Sequence, residues 1–379
     1  MSFLSLLDDK IFNNLSRYFP SWVFVFLLSL LVVLPFQGSR PFQGRDEHRY
    51  PEIAQEMLKK GDFLLPRFKG HLHLAKPPLI YWAIILGYKI AGCNPWGARL
   101  PNALAFALTS DFVFLLGREL TDEKTGLRAA LLYMSTLLPF VGANIVTPDT
   151  LLVSWETGAL WAFIKAWNEN SSGWRVIMWL FWALAFLTKG TAMLPIATGC
   201  FLFWGLERKN KRFNPFSLSG LIVFSLIALP WYLYVLYKVP GAFKIFWLEQ
   251  VYGRLFSDTF HRNSAWYAPF YLYLPLLTFG ALPGAWFWLK AWRSRGVKKI
   301  SLKVLFEDWP NRFLIIEIFI PLLIFCVAKS RLPLYILPLF GPLSILTARY
   351  FPFGLGFWIP WIFLLITLKG LISYATFIF

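Results

Sequence analysis

Long apolar runs broken by short polar stretches repeat along the chain from Ser21 to Phe379. A helix crosses a hydrocarbon core of roughly 30 Å with about 20 residues. Runs near 21–38, 98–117, 128–145, 151–168, 174–188, 190–206, 217–238, 267–290, 313–328, 333–349 and 355–374 approach that length. The pattern predicts an all-α polytopic membrane protein, a single transmembrane domain over 1–379 with about 11 transmembrane helices. The pair 174–188 and 190–206 is its weak point: each member is short, and one long helix there would reverse the side assigned to everything beyond.

The segment 39–97 reads differently. Pro51 at a first helical position, Glu52 in the first turn, Lys59 and Lys60 in the last and Gly61 beyond predict a short helix. Ile53, Ala54, Met57 and Leu58 share one face of it, which suits a helix lying in the membrane interface. A second helix is expected from Pro77-Pro78 to near Gly92, about 21 Å long and too short to cross upright. Both belong to a juxtamembrane loop.

Composition narrows the class. Hydrophobic residues make up 57% of the chain, charged residues 15%, and mean hydropathy is +0.55. No polar stretch is long enough for a soluble domain, at the carboxyl end included, and the first run, with no small-residue cleavage site after it, reads as a retained span. Cys93, Cys200 and Cys326 are far apart and frame neither disulfides nor a zinc ribbon. The net charge of +17 sits on short loops, which points to topology and anionic lipid and away from nucleic acid. The basic stretches Glu207–Arg212 and Lys290–Lys303 are expected in the cytoplasm, which leaves 39–97 outside. No phosphate-binding loop or dinucleotide fingerprint accompanies them.

Candidate chemistry gathers on the outer side of this topology. Asp46 and Glu47 occupy what reads as a loop at the lipid–water boundary, where a carboxylate can take a proton from an acceptor hydroxyl; a helix-terminal charge explains them as well. Asp149, after Thr147-Pro148, is a second acid or simply a helix cap. Glu156, two turns on, is an acid at membrane depth. Lys76, Lys189, Lys329 and Arg331 all fall outside, against the orientation bias, and together suit a phosphate or pyrophosphate leaving group; each alone is explained by snorkelling. Arg254 and Arg262, in the long loop 239–266, are secondary. His48, His71 and His73 with Asp46 or Glu47 are the candidate divalent-metal ligands, although histidine is common at polar membrane surfaces and no helical HxxxH spacing presets a site. No other cofactor is expected.

The string Asp46-Glu47-His48-Arg49-Tyr50-Pro51-Glu52-Ile53-Ala54, with Gly61-Asp62-Phe63 and Lys76-Pro77-Pro78-Leu79-Ile80-Tyr81-Trp82, resembles the aminoarabinose lipid A transferase and bacterial protein-mannosyltransferase-like family of GT-C membrane glycosyltransferases. Leu187-Thr188-Lys189-Gly190 and Lys329-Ser330-Arg331-Leu332-Pro333 resemble its later motifs. The resemblance implies a GT-C fold and transfer, with inversion, from a polyprenyl-phosphate sugar to a lipid, glycan or protein acceptor. It implies catalytic roles for Asp46 and Asp149, with Lys76 and Lys329 near the lipid phosphate; Glu47 is a further catalytic candidate, and Arg49, Tyr50, Tyr81, Lys189 and Arg331 are further substrate-binding candidates. It also implies a prokaryotic cytoplasmic membrane, with the site on the outer face. One departure stands out: where the family often has an acid before the Lys-Pro pair, proposed as a metal contact, this chain has Ala75. The rivals are a transferase of protein hydroxyls and, from another class, a transporter or lipid flippase; the latter lacks support because no internal repeat is visible and the charges crowd at one surface.

Overall fold

The computed structural model describes residues 20–208, 213–258, 260–293, 306–351 and 361–370. The basic stretches 209–212 and 294–305, on which the expected orientation rests, and much of the last expected span lie outside these residues. Helices dominate, and the one strand pair among the described residues is the hairpin β1 (Arg67–Phe68) and β2 (His71–Leu72).

Helix α1 (Ser21–Val33) rises to a polar connection and α2 (Gly44–Lys60). After the hairpin come α3 (Leu79–Ala91) and α4 (Pro95–Leu120), then α5 (Glu123–Ser135) and α6 (Leu137–Ala143), bent from each other by 63°. Next are α7 (Pro148–Glu169), α8 (Ser172–Lys189), α9 (Leu194–Glu207) and α10 (Leu218–Lys238). Short α11 (Ala242–Lys244) runs through π-helical Ile245–Tyr252 into α12 (Gly253–Leu255). The described remainder is α13 (Ala268–Thr278), α14 (Gly284–Arg293), α15 (Trp309–Val327), a 3-10 turn (Pro333–Leu339), α16 (Phe340–Tyr350) and α17 (Trp361–Gly370).

Four of the described helical stretches are long and apolar enough to cross a membrane, five if the bent α5–α6 pair is one span. One of these, Ser172–Glu207, is not straight. Trp174 lies against Trp161, and Phe203 lies against Trp167, so both ends of the stretch sit beside the same end of α7. Trp179 and Phe201 meet halfway at 6.0 Å. The chain therefore doubles back at Gly190, whose φ of +63° belongs to glycine. Two short helices stand there, as the apolar pattern suggests.

The juxtamembrane segment corrects two expectations. Helix α2 starts at Gly44 and continues through Pro51, so Asp46 and Glu47 occupy its first turn rather than a loop. Its apolar face is also turned away from lipid: Ile53, Ala54 and Met57 are buried against Ile80, Tyr81 and Ile84 of α3. Full burial of a side chain such as Ile53 contributes roughly 1.5–3 kcal/mol. Helix α3 in turn meets α4 with glycine against glycine, and a Cβ on Gly87 would come within 2.1 Å of the Gly97 carbonyl. The stack α2–α3–α4 thereby seats the first turn of α2 against the start of α7.

Candidate active site

Successive residues on an α-helix point about 100° apart, and Asp46 and Glu47 diverge accordingly. The Asp46 side chain stays 39% exposed and pairs with Arg49 at 2.6 Å. Glu47 turns inward and is 1% exposed. Its oxygens accept from Arg40 (2.7 and 3.0 Å), Arg99 (3.0 and 3.3 Å) and the backbone amide of Gln43 (2.9 Å). Burial pushes the Glu47 carboxyl up, but the two guanidiniums more than offset that and hold it below the usual carboxylate range. Glu47, expected as a catalytic acid, thus stands in an internal ion pair with Arg40 and Arg99.

Asp149 lies in the first turn of α7 and pairs with Lys189, the last residue of α8. The Lys189 ammonium also sits 4.3 Å from the centre of the Tyr335 ring. Tyr335 accepts from Arg254 at 3.0 Å, while Arg254 donates twice to Gln250 (3.1 and 2.7 Å). Lys76, on the loop before α3, is buried and donates only to its own neighbour's carbonyl, Ala75, at 3.1 Å. Burial first, then the charges of Arg254 and Lys189, push its ammonium well below the ordinary lysine value. It has no acidic partner within ion-pair distance among the described residues.

Lys76, Asp149, Lys189, Arg254 and Tyr335 border one cavity of about 640 Å³. Its remaining walls are mostly apolar, with Leu152, Phe186, Leu229, Phe246 and Phe325 among them. Leu233, Leu236, Phe243 and Trp247 line it and are also exposed, so it opens sideways onto an apolar face of the molecule. The arrangement suits an amphiphile with an anionic head and a long hydrocarbon tail.

Other expected residues fall elsewhere. Lys329 is exposed and outside the cavity wall, its amide donating to Leu255. Arg331 is 3% exposed and donates to the carbonyls of Asn263 (2.6 Å), Ala265 (2.8 Å) and Cys326 (2.8 Å), so it fastens a loop to the end of α15. Arg254, a secondary candidate from the sequence, lines the cavity, and Lys329 and Arg331 do not. Tyr50 and Tyr81 are buried in the α2–α3 core with ring centres 6.1 Å apart, and neither lines the cavity. Arg49 lies over the Tyr50 ring at 5.2 Å and reaches Asp46. Glu156 is buried on α7 with neither oxygen hydrogen-bonded, and Glu317 on α15 is like it.

The metal candidates do not fit a metal. His71 is exposed on β2, His48 lies edge-on to Phe42, and His73 lies against Phe68. Burial and the nearby Arg49 and Lys76 push His73 down to about 4. Glu47 is consumed, Asp46 and Asp149 each face a basic side chain, and position 75 offers only a methyl group. Among the described residues no three His, Cys, Asp or Glu side chains converge.

Residues 75–233 match the family model described as dolichyl-phosphate-mannose-protein mannosyltransferase. The chain is 31% identical over 341 residues to the undecaprenyl phosphate-alpha-4-amino-4-deoxy-L-arabinose arabinosyl transferase of Edwardsiella ictaluri, covering 86% of this chain and 58% of that one. It thus spans less than two thirds of the length of the curated relatives it matches. Its fold is similar to the crystal structure of ArnT from Cupriavidus metallidurans bound to undecaprenyl phosphate, with a TM-score of 0.75 and 25% identity over 87% of this chain and 60% of that one. The oligosaccharyltransferase of Archaeoglobus fulgidus shares the fold at a TM-score of 0.53 and 16% identity, over 88% of this chain and 50% of its own. The chain thus has the GT-C fold and is similar in sequence to the family that contains the aminoarabinose transferases.

Proposed function

We propose that the protein transfers a sugar from a polyprenyl-phosphate donor to an acceptor at the membrane surface. The observation that carries this reading is the cavity itself: an apolar, laterally open space whose head end holds Lys76, Lys189, Arg254 and Tyr335 beside Asp149. The prenyl chain enters through the open side and the phosphate meets the cations. The bond between the anomeric carbon and the phosphate oxygen breaks as the acceptor oxygen attacks from the opposite face, which inverts the centre. Negative charge grows on the departing phosphate, so Lys76, Lys189 and Arg254 stabilise the transition state electrostatically. Asp46, open to solvent and held by Arg49, takes the acceptor proton. Asp149 holds Lys189 in place against the phosphate. No step is assigned to a metal.

The relatives' names favour undecaprenyl phosphate carrying an aminopentose as donor; the first reading takes a lipid as acceptor. The matching family model, described for protein mannosylation, favours a second reading with protein hydroxyls as acceptor. The basic charge of the sequence stretches 207–212 and 290–303 favours a site on the outer face, and the bacterial relatives favour a prokaryotic inner membrane. The test is incubation of purified protein with a panel of lipid-phosphate sugars, scoring free lipid phosphate and the labelled acceptor. Release from one donor supports the reading. No release from any donor, with lipid and peptide acceptors present, rejects it.

A further inference from the structure

The Glu47 carboxylate has one more partner, the amide of Val146, which donates to it at 3.2 Å across 99 residues of sequence. Val146 belongs to the stretch Asn144–Thr147 that leads into α7, and this stretch is gripped at each residue. Arg40, itself paired with Glu47, donates to the Asn144 carbonyl. Asn102 of α4 donates to the carbonyls of Ile145 (2.6 Å) and Thr147 (3.1 Å). On the other side, Arg99 pairs with Glu47 and donates to the carbonyls of Gln37 (2.7 Å), Arg40 (2.9 Å) and Pro41 (3.0 Å), which fixes the approach to α2. One carboxylate is thus tied to the backbone one residue from Asp46 and to the backbone three residues ahead of Asp149.

We infer that Glu47 is a positioning residue that sets the separation of the Asp46 and Asp149 carboxylates, with Asn102 bracing the same strand from α4. The inference rests on the proposed transferase reading. Both acids ride in the first turn of their helices, so a shift of either backbone approach moves its acid as a rigid unit. Misplacing a reacting group by about 1 Å costs on the order of 10²-fold in rate. Glu47 does not line the cavity, so its effect reaches the reaction through geometry; because Asp149 also holds Lys189, a small rise in donor KM accompanies the loss without accounting for it.

Glu47→Asp keeps the charge and shortens the side chain by one methylene, so it must either release Val146 or draw the two backbones together. The expected result is a folded protein with donor KM and donor-induced thermal stabilisation within about twofold of wild type and kcat lower by about 10–100-fold. Both limbs of the pH–rate profile should keep their wild-type positions, since no titrating group of the reaction is removed. Asn102→Ala leaves every Glu47 contact in place and should reproduce the loss confined to kcat; it carries the test alone if Glu47→Asp does not fold. The inference is overturned by unchanged kcat in the folded variants, by a rise in donor KM that accounts for the loss, or by disappearance of a limb in Glu47→Asp, which would make Glu47 a proton-transfer group. Wild-type protein inert towards every donor would defeat the transferase reading instead.

Discussion

Each basic side chain at the head of the cavity has a different electrostatic situation, and the variants should separate them. Arg254 braces Tyr335 and lines the cavity, whereas Lys329 is exposed and does not line it. Arg254→Met should therefore abolish most donor-induced thermal stabilisation, while Lys329→Met should leave it intact; the reverse order would restore Lys329 to the site. The Lys76 ammonium is destabilised by burial and by neighbouring cations. A bound donor phosphodiester, with its single negative charge, offsets that environment and raises the lysine's proton affinity, so binding takes up a proton. Donor affinity should then fall as pH rises through the range where free Lys76 has lost its proton and bound Lys76 has not. Titration calorimetry in two buffers of different ionisation enthalpy reads that uptake, and Lys76→Arg should remove it, because the guanidinium stays charged. Asp46→Asn should cost roughly 10²–10⁴-fold in transfer rate with the fold unchanged, as expected for loss of a general base; near wild-type turnover would move that role to another group. The dipeptide Asp46-Glu47 shows what a sequence leaves open at this scale. Two adjacent acids look equivalent until a helix sends them to opposite sides, one to solvent and one to Arg40 and Arg99.

At the scale of elements, chain reversals were legible where glycine or proline forces them. The ends of α2 and α3 fall at Gly61 and Gly92, as read from the sequence, and the break after Lys189 falls at Gly190. The start of α2 was not, because Pro51 looks like a first-turn proline and in fact sits inside a helix that begins at Gly44. Arg254 was legible as a charge but not as a site residue. Its place depends on a long connection folding back so that Leu255 and Arg254 accept backbone bonds from Lys329 and Ser330, and no local pattern encodes that. Gly190 carries the heaviest local demand. Its φ of +63° suits glycine, and an added Cβ would also lie 3.1 Å from the Tyr232 hydroxyl. Gly190→Ala should lower stability by about 1–3 kcal/mol and, by tilting the end of α8, shift Lys189 away from Asp149. A melting temperature equal to wild type would mean that the turn relaxes without strain.

Taken whole, the molecule is a bundle with its chemistry confined to one end, where α2, α7, α8, α12 and the turn after α15 each deliver a side chain. Apolar pattern alone announced such a bundle; the convergence of five distant segments required the fold. The sideways opening of the cavity between Leu233, Leu236, Phe243 and Trp247 has a kinetic consequence. A donor arriving through that opening is drawn from a two-dimensional solution, so the quantity that governs saturation is its mole fraction in the bilayer and not its molarity in the tube. Diluting a fixed amount of donor and enzyme with inert phospholipid should therefore slow subsaturated transfer in proportion to the added lipid, while doubling the aqueous volume around the same vesicles should change nothing. An enzyme that drew its donor from water would show the opposite pair of responses.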